Sequence, residues 1–503
     1  MKKIYTTAIA LLAMAVSQAQ DITDAVRYSQ NELNGTARFR AMSGAFGALG
    51  GDLSAIAINP ASSAVYLNSS ASFTLNYRDT ETDARYFNGF NSSNDSNLNL
   101  DQAGAVLVFN SINSENNWNK FTLAANYSQQ NNFENDYLLR GASNTSIDQY
   151  FLSYADGVPL ELLETIEDET ISDLYRYLGE TEGFGAQQAL LGYQAYIIDP
   201  QSNDTNNTIY NSNIAAGSFD QQSSYNATGL NGKLSFNFAT QYQDFLYLGL
   251  NLNPHFWNYD RSTQFYESNS NQGSETSEVL FVNNLSTTGN GFSLQLGAIA
   301  KVNDYVRLGL SYDSPTWFTI SEETSQRVLA SNNQFSQPLD ISPNIVNVFP
   351  DYKLKTPGKL TGSMAILFGD QGLISFDYSY KDFSKTELRP SNDPDFAIQN
   401  AKIKNELKAA STYRIGGEYR IMDWRLRGGY RYEESPYENE STIGNLSGYS
   451  IGAGYNFGKV KLDLAYDNAT RTNNPQLFQT GLTNTANIQQ DISSFVLTLS
   501  FGI

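Results

Sequence analysis

The stretch that decides the fold is Phe495-Val496-Leu497-Thr498-Leu499-Ser500-Phe501-Gly502-Ile503, at the end of a 503-residue chain. Large apolar side chains occupy every second position, and small or polar residues fill most of the positions between them. Alternation with a period of two indicates a β-strand whose two faces meet different surroundings. The pattern fits a soluble sheet packed on a core as well as a strand that faces lipid, so it establishes the strand and not its surroundings.

The same alternation recurs upstream in segments of about ten residues, the length of a transmembrane β-strand. It predicts about fourteen strands. They cover residues 70–78, 102–110, 119–129, 226–240, 244–260, 288–301, 304–314, 357–368, 371–382, 409–421, 423–434, 446–457, 459–469 and 491–502.

The connections between these strands alternate in length. Four are tight turns of the Gly/Asn/Asp type: Val302-Asn303-Asp304, Gly369-Asp370-Gln371, Ile421-Met422-Asp423 and Phe457-Gly458-Lys459. The connections that alternate with the short ones are predicted to be long, and the longest covers residues 130–225. Short turns at one end and long loops at the other are typical of an outer-membrane barrel, with the turns in the periplasm. We therefore predict an all-β, antiparallel transmembrane β-barrel over residues 69–503, with 130–225 as an extracellular loop insertion.

Composition excludes several classes of protein. The chain has no cysteine and one histidine, His255, which excludes disulfide scaffolds, Cys-ligated metals and multi-histidine metal sites. Its mean hydropathy is −0.40, so it is no bundle of apolar helices. Aromatic residues reach 13% of the chain, and many tyrosines fall near strand ends, where membrane interfaces favour them. A net charge of −20 argues against nucleic acid as a partner.

The N-terminus has the features of a secretory signal. Lys2 and Lys3 precede an apolar run from Ile4 to Val16, and Ala19 follows at a cleavage position. Thirteen residues are too few to span a bilayer as a helix. We expect residues 1–19 to be a cleaved signal peptide and the protein to reach the outer membrane of a Gram-negative bacterium.

Residues 20–68 do not alternate, and we predict that they form a plug inside the barrel. A short helix is expected over 24–30, capped by Thr23 or Asp24. A run rich in small residues follows, with glycines at Gly44, Gly47, Gly50 and Gly51, and leads to Asn59-Pro60-Ala61. The glycines do not form a dinucleotide fingerprint, because no strand precedes them.

This run and its Asn-Pro-Ala motif resemble the hatch of the FadL/TodX family, outer-membrane transporters of long-chain fatty acids and other hydrophobic compounds. The resemblance implies a fourteen-stranded barrel with an N-terminal hatch. It also implies passive uptake, in which loops capture an apolar ligand, the hatch moves, and the ligand leaves through a lateral gap. Expected partners are a fatty-acid-like molecule, outer-membrane lipid and lipopolysaccharide, and we expect a monomer with no cofactor. The alternative is a barrel of this architecture that serves as a porin or a surface-binding protein.

Five arginines on two neighbouring segments are predicted to face the lumen: Arg414, Arg420, Arg425, Arg427 and Arg431. They are suited to bind a carboxylate. The interpretation favoured by the sequence is that they pair with Glu418, Asp463, Asp467 and acids of the hatch, and so hold the hatch in place.

Two further features leave alternatives open. Aliphatic residues between Leu160 and Leu174 suggest an amphipathic helix, either the lip of a capture groove or a cap over the barrel mouth. The acids among them lack the spacing of a calcium loop, so no metal site is predicted. An outer-membrane phospholipase would need His255 as its base. His255 is instead predicted to lie in the aromatic belt, and no catalytic residue is assigned.

Overall fold

The computed structural model describes residues 21–111 and 117–503. The predicted signal peptide lies outside the described residues. The described chain forms a closed, antiparallel β-barrel of fourteen strands around an N-terminal segment, which we define as residues 21–68. The predicted fold class is confirmed.

We number the barrel strands β1 to β14 in chain order, and β7 and β8 each consist of two pieces. Their bounds are β1 Ser70–Tyr86, β2 Gly89–Asn110, β3 Trp118–Asn132, β4 Phe219–Tyr242, β5 Leu246–Ser268, β6 Thr276–Lys301, β7 Val306–Asp313 with Trp317–Asn332, β8 Tyr352–Lys355 with Lys359–Leu367, β9 Gly372–Asp382, β10 Ala409–Ile421, β11 Trp424–Glu433, β12 Leu446–Asn456, β13 Val460–Asn473 and β14 Asn487–Gly502. Short additional strands cover Asn135–Ser143, Ile198–Pro200, Tyr210–Ser212, Leu339–Ile341, Asn347–Val348 and Glu387–Arg389.

Pairing between β14 and β1 closes the barrel. The ladder runs from Ser70 opposite Gly502 to Arg85 opposite Asn487. Closure gives every barrel strand a neighbour on each side, and a spanning sheet in lipid needs this because no water is present to satisfy the backbone groups of an edge strand. The C-terminus of β14 lies at the end of the barrel that carries the short turns, which we call the turn end; the other is the loop end.

The apolar face of the strands points outward. On β14, Phe495 and Phe501 are 56% and 44% exposed, whereas Val496 and Thr498 between them are buried. A soluble sheet would bury the larger side chains in its core. The outward direction of this face is that of a strand in contact with lipid.

Several strands are longer than predicted, and two predicted long loops are wrong. β1 and β2 are joined by the two-residue turn Phe87–Asn88, and β5 and β6 by residues 269–275. The predictions followed apolar alternation, which ends where a strand leaves the membrane. Backbone pairing continues beyond that point because it does not depend on which side chains face water.

Short helices lie in the N-terminal segment and at the loop end. We number them α1 Ile22–Arg27, α2 Ala37–Arg40, α3 Asp148–Ala155, α4 Ile171–Thr181, α5 Phe184–Gln194 and α6 Pro394–Glu406; 3₁₀ turns cover Ser54–Ala57, Pro60–Val65, Leu160–Leu162 and Phe383–Lys385. The predicted cap of α1 is wrong, because Asp21 rather than Thr23 or Asp24 caps it, in a capping box. Among the described residues, no helix has the length and apolarity to cross a membrane.

Candidate functional site

The N-terminal segment lies against the inner wall of the barrel. Ala37, Ala41, Met42 and Phe46 are fully buried. Helix α2 contacts β12, β13 and β14, while the 3₁₀ turn Pro60–Val65 contacts β3, β4, β5 and β6. Small side chains let the segment approach the wall closely enough to exclude water from much of the contact.

The glycines in this segment meet two physical requirements. Gly44, Gly50 and Gly51 have φ between +65° and +77°, a region that disfavours residues with a Cβ. Gly47 is required by space instead, because a Cβ there would lie 2.1 Å from Oγ of Ser363 on β8. The predicted glycines therefore shape the segment and its contact with the wall.

Asn59, Pro60 and Ala61 join the segment to the barrel wall. The Asn59 side chain donates to the carbonyl oxygens of Gly47 at 2.8 Å and Ala298 at 3.0 Å, and accepts from Ala61 N–H at 3.1 Å. The carbonyl of Pro60 accepts from Asn237 of β4 at 2.8 Å. The motif thus connects two turns of the segment to β4 and β6.

Ion pairs join the segment to the opposite wall. Glu418 of β10, which is fully buried, accepts from Nε of Arg427 at 2.8 Å, Nε of Arg420 at 2.9 Å and Nε of Arg38 at 3.1 Å. Arg427 also donates to Asp463 at 2.6 Å. One carboxylate thereby connects two barrel arginines to the N-terminal segment.

A second connection is centred on Arg40. Its guanidinium donates to both oxygens of Asp467 on β13, at 2.8 and 3.0 Å, and to Asp101 on β2 at 2.7 Å. Such a bidentate pair fixes geometry as well as charge. The sequence interpretation missed Arg38 and Arg40. The part of it that paired the five barrel arginines with acids of the segment is wrong, because among the described residues none of the five forms an ion pair with the segment. Arg38 and Arg40 of the segment pair with barrel acids instead, and the segment's Glu32 pairs with Arg78 of β1 at 2.6 Å.

The other three predicted arginines lack the close ion pairs that Arg420 and Arg427 form. Within the described residues, Arg425 has no ion-pair partner within 4 Å. In the part of the chain that the structure describes, Arg431 has one ion-pair partner, Glu433 at 3.9 Å, and Arg414 has no ion-pair partner within 4 Å. Arg414 and Arg431 line a cavity instead.

The cavity lies between the N-terminal segment and the loop end and has a volume of about 1190 Å³. The lining includes apolar, basic, acidic and uncharged polar side chains. The apolar part includes Val26, Leu33, Phe133, Tyr259, Phe281 and Leu285. The basic part includes Arg78, Arg261, Lys381, Arg414, Arg431 and Arg471. Arg420, Arg425 and Arg427 are not part of the lining.

Aromatic side chains cluster beside this space, and two of them, Phe133 and Tyr259, line it. Tyr28 of the segment stacks on Trp257 of β5, with ring centroids 3.9 Å apart and planes at 25°. Phe133 meets Tyr259 edge to face at 5.4 Å, and the Arg27 guanidinium lies 4.4 Å from the Tyr259 ring centroid. The sequence analysis did not find this cluster, because its members come from parts of the chain that are far apart in sequence.

Comparison with known proteins assigns a family to this architecture. The family described as "Outer membrane protein transport protein (OMPP1/FadL/TodX)" matches residues 198–501. The chain belongs to this family. Among the curated proteins none matches it.

Solved structures of FadL/TodX proteins share the fold. A FadL homologue from Pseudomonas aeruginosa and the toluene transporter TodX from P. putida each have a TM-score of 0.53 at 13% identity, over 94% of this chain and 99% of theirs. The CymD monoaromatic hydrocarbon channel has a TM-score of 0.51 at 12% identity, with the same coverage. The family consists of outer-membrane transport proteins.

In this FadL/TodX-family chain, the 130–225 insertion covers the loop end. Its helices α3, α4 and α5 share a buried apolar core with Phe265, Phe281 and Val328 of the barrel. The aliphatic stretch forms the 3₁₀ turn Leu160–Leu162 and helix α4 rather than one helix. Hydrogen bonds from Thr170 hold the pKa of the Asp173 carboxyl below its usual range and cap α4.

His255 lies inside the barrel, so its predicted position in the aromatic belt is wrong. Its Nε2 lies 2.9 Å from Oγ of Ser293, and its ring packs edge-on against Phe318. His255 and Ser293 line a separate cavity of about 50 Å³. Among the described residues no carboxylate hydrogen-bonds to the imidazole ring of His255.

Proposed function

We propose that this protein is a passive outer-membrane channel for hydrophobic molecules such as long-chain fatty acids. Residues 1–19 direct export and are cleaved, and residues 20–68 act as a hatch. A ligand enters from the loop end, occupies the lumen cavity and leaves sideways into the membrane when the hatch moves.

The observation that carries this proposal is the cavity beside the N-terminal segment. A volume of about 1190 Å³ is enough for a lipid-sized ligand, and apolar side chains form much of the lining. The segment beneath it is connected to the wall by side-chain pairs rather than by a strand ladder, so it can move without breaking the barrel. The printed titles of TodX and CymD, which refer to toluene and to monoaromatic hydrocarbons, agree with an apolar cargo.

A lateral exit is supported by an interruption between β2 and β3. Their ladder runs from Asn110 opposite Lys120 to Gln102 opposite Ser128, and β2 then pairs with β1 alone. Beyond that point a hydrogen bond of 3.0 Å between the side chains of Asn132 and Asn97 joins the two strands. A region joined by side chains opens at lower cost than a continuous ladder.

Ligand binding and permeation test the proposal together. We expect protein extracted from membranes to carry apolar molecules, detectable by mass spectrometry. We expect the refolded protein in nanodiscs to bind dodecanol, and the protein in liposomes to exclude small sugars. A protein that lets sugars through and never binds an apolar ligand would be the porin alternative, and would contradict our proposal.

A further inference from the structure

A short hairpin at the loop end contacts three parts of the molecule. It covers residues 474–486 between β13 and β14, and we call it the strap. Gln476 pairs with Thr485 across the strap. The N–H of Leu477 donates to the carbonyl of Asn484 at 3.0 Å. These bonds keep the two arms of the strap together beyond the end of the β13–β14 ladder.

The tip of the strap packs against the 130–225 insertion. Gly481 has a φ of +68°, and a Cβ there would lie 2.3 Å from the carbonyl oxygen of Gln149 in α3. Leu482 is fully buried in the apolar core that the insertion shares with the barrel. Because the tip lies this close to α3, a displacement of the insertion moves the strap with it.

One arm of the strap faces the lumen cavity, where Leu477 and Phe478 form part of the lining. The Phe478 ring packs against three aromatic rings that also line the cavity. Its centroid lies 4.8 Å from that of Tyr150 in α3, 5.4 Å from that of Phe265 on β5 and 6.2 Å from that of Phe281 on β6. Phe478 therefore fills space between the insertion and the barrel wall, at the boundary of the cavity.

The same arm reaches the N-terminal segment. Nε2 of Gln479 donates to Oδ2 of Asp21 at 2.6 Å. The other oxygen of this carboxylate accepts from the backbone N–H groups of Thr23 and Asp24, at 2.7 and 3.0 Å, and so caps α1. One carboxylate thus serves both the cap of α1 and the contact with the strap.

Few other hydrogen bonds hold the strap in place. Among the described residues, the backbone hydrogen bonds of residues 476–485 stay within the strap, and Gln479 supplies the side-chain hydrogen bond that leaves it. A segment with few hydrogen bonds to its surroundings opens at a lower free energy than a strand within a ladder. The contact between Gln479 and Asp21 therefore has a large share in keeping the strap closed.

We propose that the strap is an entry gate that couples the insertion to the N-terminal segment. When the insertion moves outward to admit a ligand, the strap moves with it, Phe478 leaves the boundary of the cavity, and Gln479 separates from Asp21. The start of α1 then loses a contact, so opening at the loop end favours movement of the segment. By reciprocity, a segment held in place favours a closed gate. This inference rests on the proposed function, because it assigns the entry step of that route.

The gate is tested by the rates at which tritiated dodecanol binds to and leaves refolded protein in nanodiscs, with empty nanodiscs subtracted. In Gln479→Ala we expect both rates to rise about tenfold, the change that the loss of a hydrogen bond to a charged group produces. The dissociation constant should not change, because a gate alters both rates by the same factor. Gln476→Ala is the matched control, since this glutamine also lines the cavity from the strap but does not contact Asp21.

A cross-link should produce the opposite change. Asp21→Cys/Gln479→Cys can be joined by a short, cleavable thiol reagent, because the chain has no cysteine of its own. We expect the linked protein to bind and release dodecanol at least about tenfold more slowly than the unlinked protein, since the gate must open for each passage. Cleavage of the linker should restore both rates.

Hydrogen–deuterium exchange tests the link to the segment without any ligand. The backbone amides of α1 should exchange faster in Gln479→Ala than in wild type, and at the wild-type rate in Gln476→Ala. Asp21→Ser retains a residue that caps helices but is too short to reach the strap, so it should raise the dodecanol rates as Gln479→Ala does. The double variant should show no further rise, because both substitutions remove the same contact.

The outcomes separate this inference from the proposed function. Linked protein that binds dodecanol as fast as unlinked protein overturns the gate. Unchanged exchange of α1 in Gln479→Ala, or additive effects of the two substitutions, overturns the coupling. Each of these results leaves an apolar channel intact, whereas wild-type protein that binds no dodecanol contradicts the proposed function and the gate with it. Heat-modifiable gel migration verifies that each variant is folded.

Discussion

At the scale of single residues, Glu418 stands out because three arginines depend on it. Its side chain is fully buried, and Arg38, Arg420 and Arg427 donate to it from the segment and from two strands. Removing one member of a buried group of ion pairs lowers the free energy of unfolding by more than the intact group adds to it, because the charges left behind are buried and cannot be solvated.

Replacing Glu418 with Gln is expected to loosen the N-terminal segment. The loss of charge leaves the buried Arg427 and the partly buried Arg38 short of an anion, at a cost of about 3 to 5 kcal/mol. Limited proteolysis should then cleave residues 21–68 at least about tenfold faster than in wild type. Glu440→Gln is the control, because Glu440 pairs with Lys408 on the exposed surface, where such pairs contribute little. Equal cleavage rates for Glu418→Gln and wild type would show that this carboxylate does not hold the segment.

For the arginines, the sequence predicted which side chains face the lumen but not which partners they have. Alternation predicted that Arg425, Arg427 and Arg431 share the inner face of one strand, and the register agrees. The pattern could not separate Arg427, which pairs with Glu418 and Asp463, from Arg431, which lines the cavity. Partners are decided by which residues of distant segments lie opposite, and strand periodicity contains no such information.

At the scale of elements, the backbone pairing between β2 and β3 covers only part of their length. Their backbone pairing stops at Gln102 and Ser128, although both strands continue toward the loop end. Asp101, next to the last pair, contacts Arg40 of the segment. The interruption and the segment are therefore in direct contact, which couples any movement of one to the other.

A cross-link across this interruption is expected to block release without preventing binding. Because the chain has no cysteine, Asn97→Cys/Asn132→Cys can be joined specifically by a short, cleavable thiol reagent. We expect uptake of a labelled apolar ligand into liposomes to fall at least about tenfold and to recover when the linker is cleaved, while binding in nanodiscs is retained.

The matched control for this cross-link is Thr319→Cys/Lys353→Cys, a pair in backbone register between β7 and β8, where both residues are exposed. Equal uptake by linked and unlinked Asn97→Cys/Asn132→Cys protein would place the exit elsewhere.

At the scale of the whole molecule, the N-terminal segment and the barrel form one interlocked unit. The segment's apolar residues are buried against the wall, and the segment also contributes part of the cavity lining. The hatch therefore has two roles in our proposal, since it closes the turn end and forms part of the binding site.

Deleting residues 21–68 is expected to convert the protein into an open pore. The remaining barrel has its full strand ladder, so it should retain heat-modifiable gel migration. Liposomes with the deletion variant should become permeable to small sugars, whereas full-length protein should exclude them. Sugar exclusion by a folded deletion variant would show that the loop end closes the lumen without the hatch.

The sequence by itself determined the number of strands, the four tight turns, the plug of small residues and the family resemblance, because each depends on neighbours close along the chain. Only the tertiary structure decided where strands end beyond the membrane, which arginines pair and which line the cavity. Those properties depend on contacts between residues such as Arg40 and Asp467, or Arg414 and Arg431, that the closed barrel brings together. Local periodicity specifies a strand, but burial and charge pairing are set by what lies across the lumen.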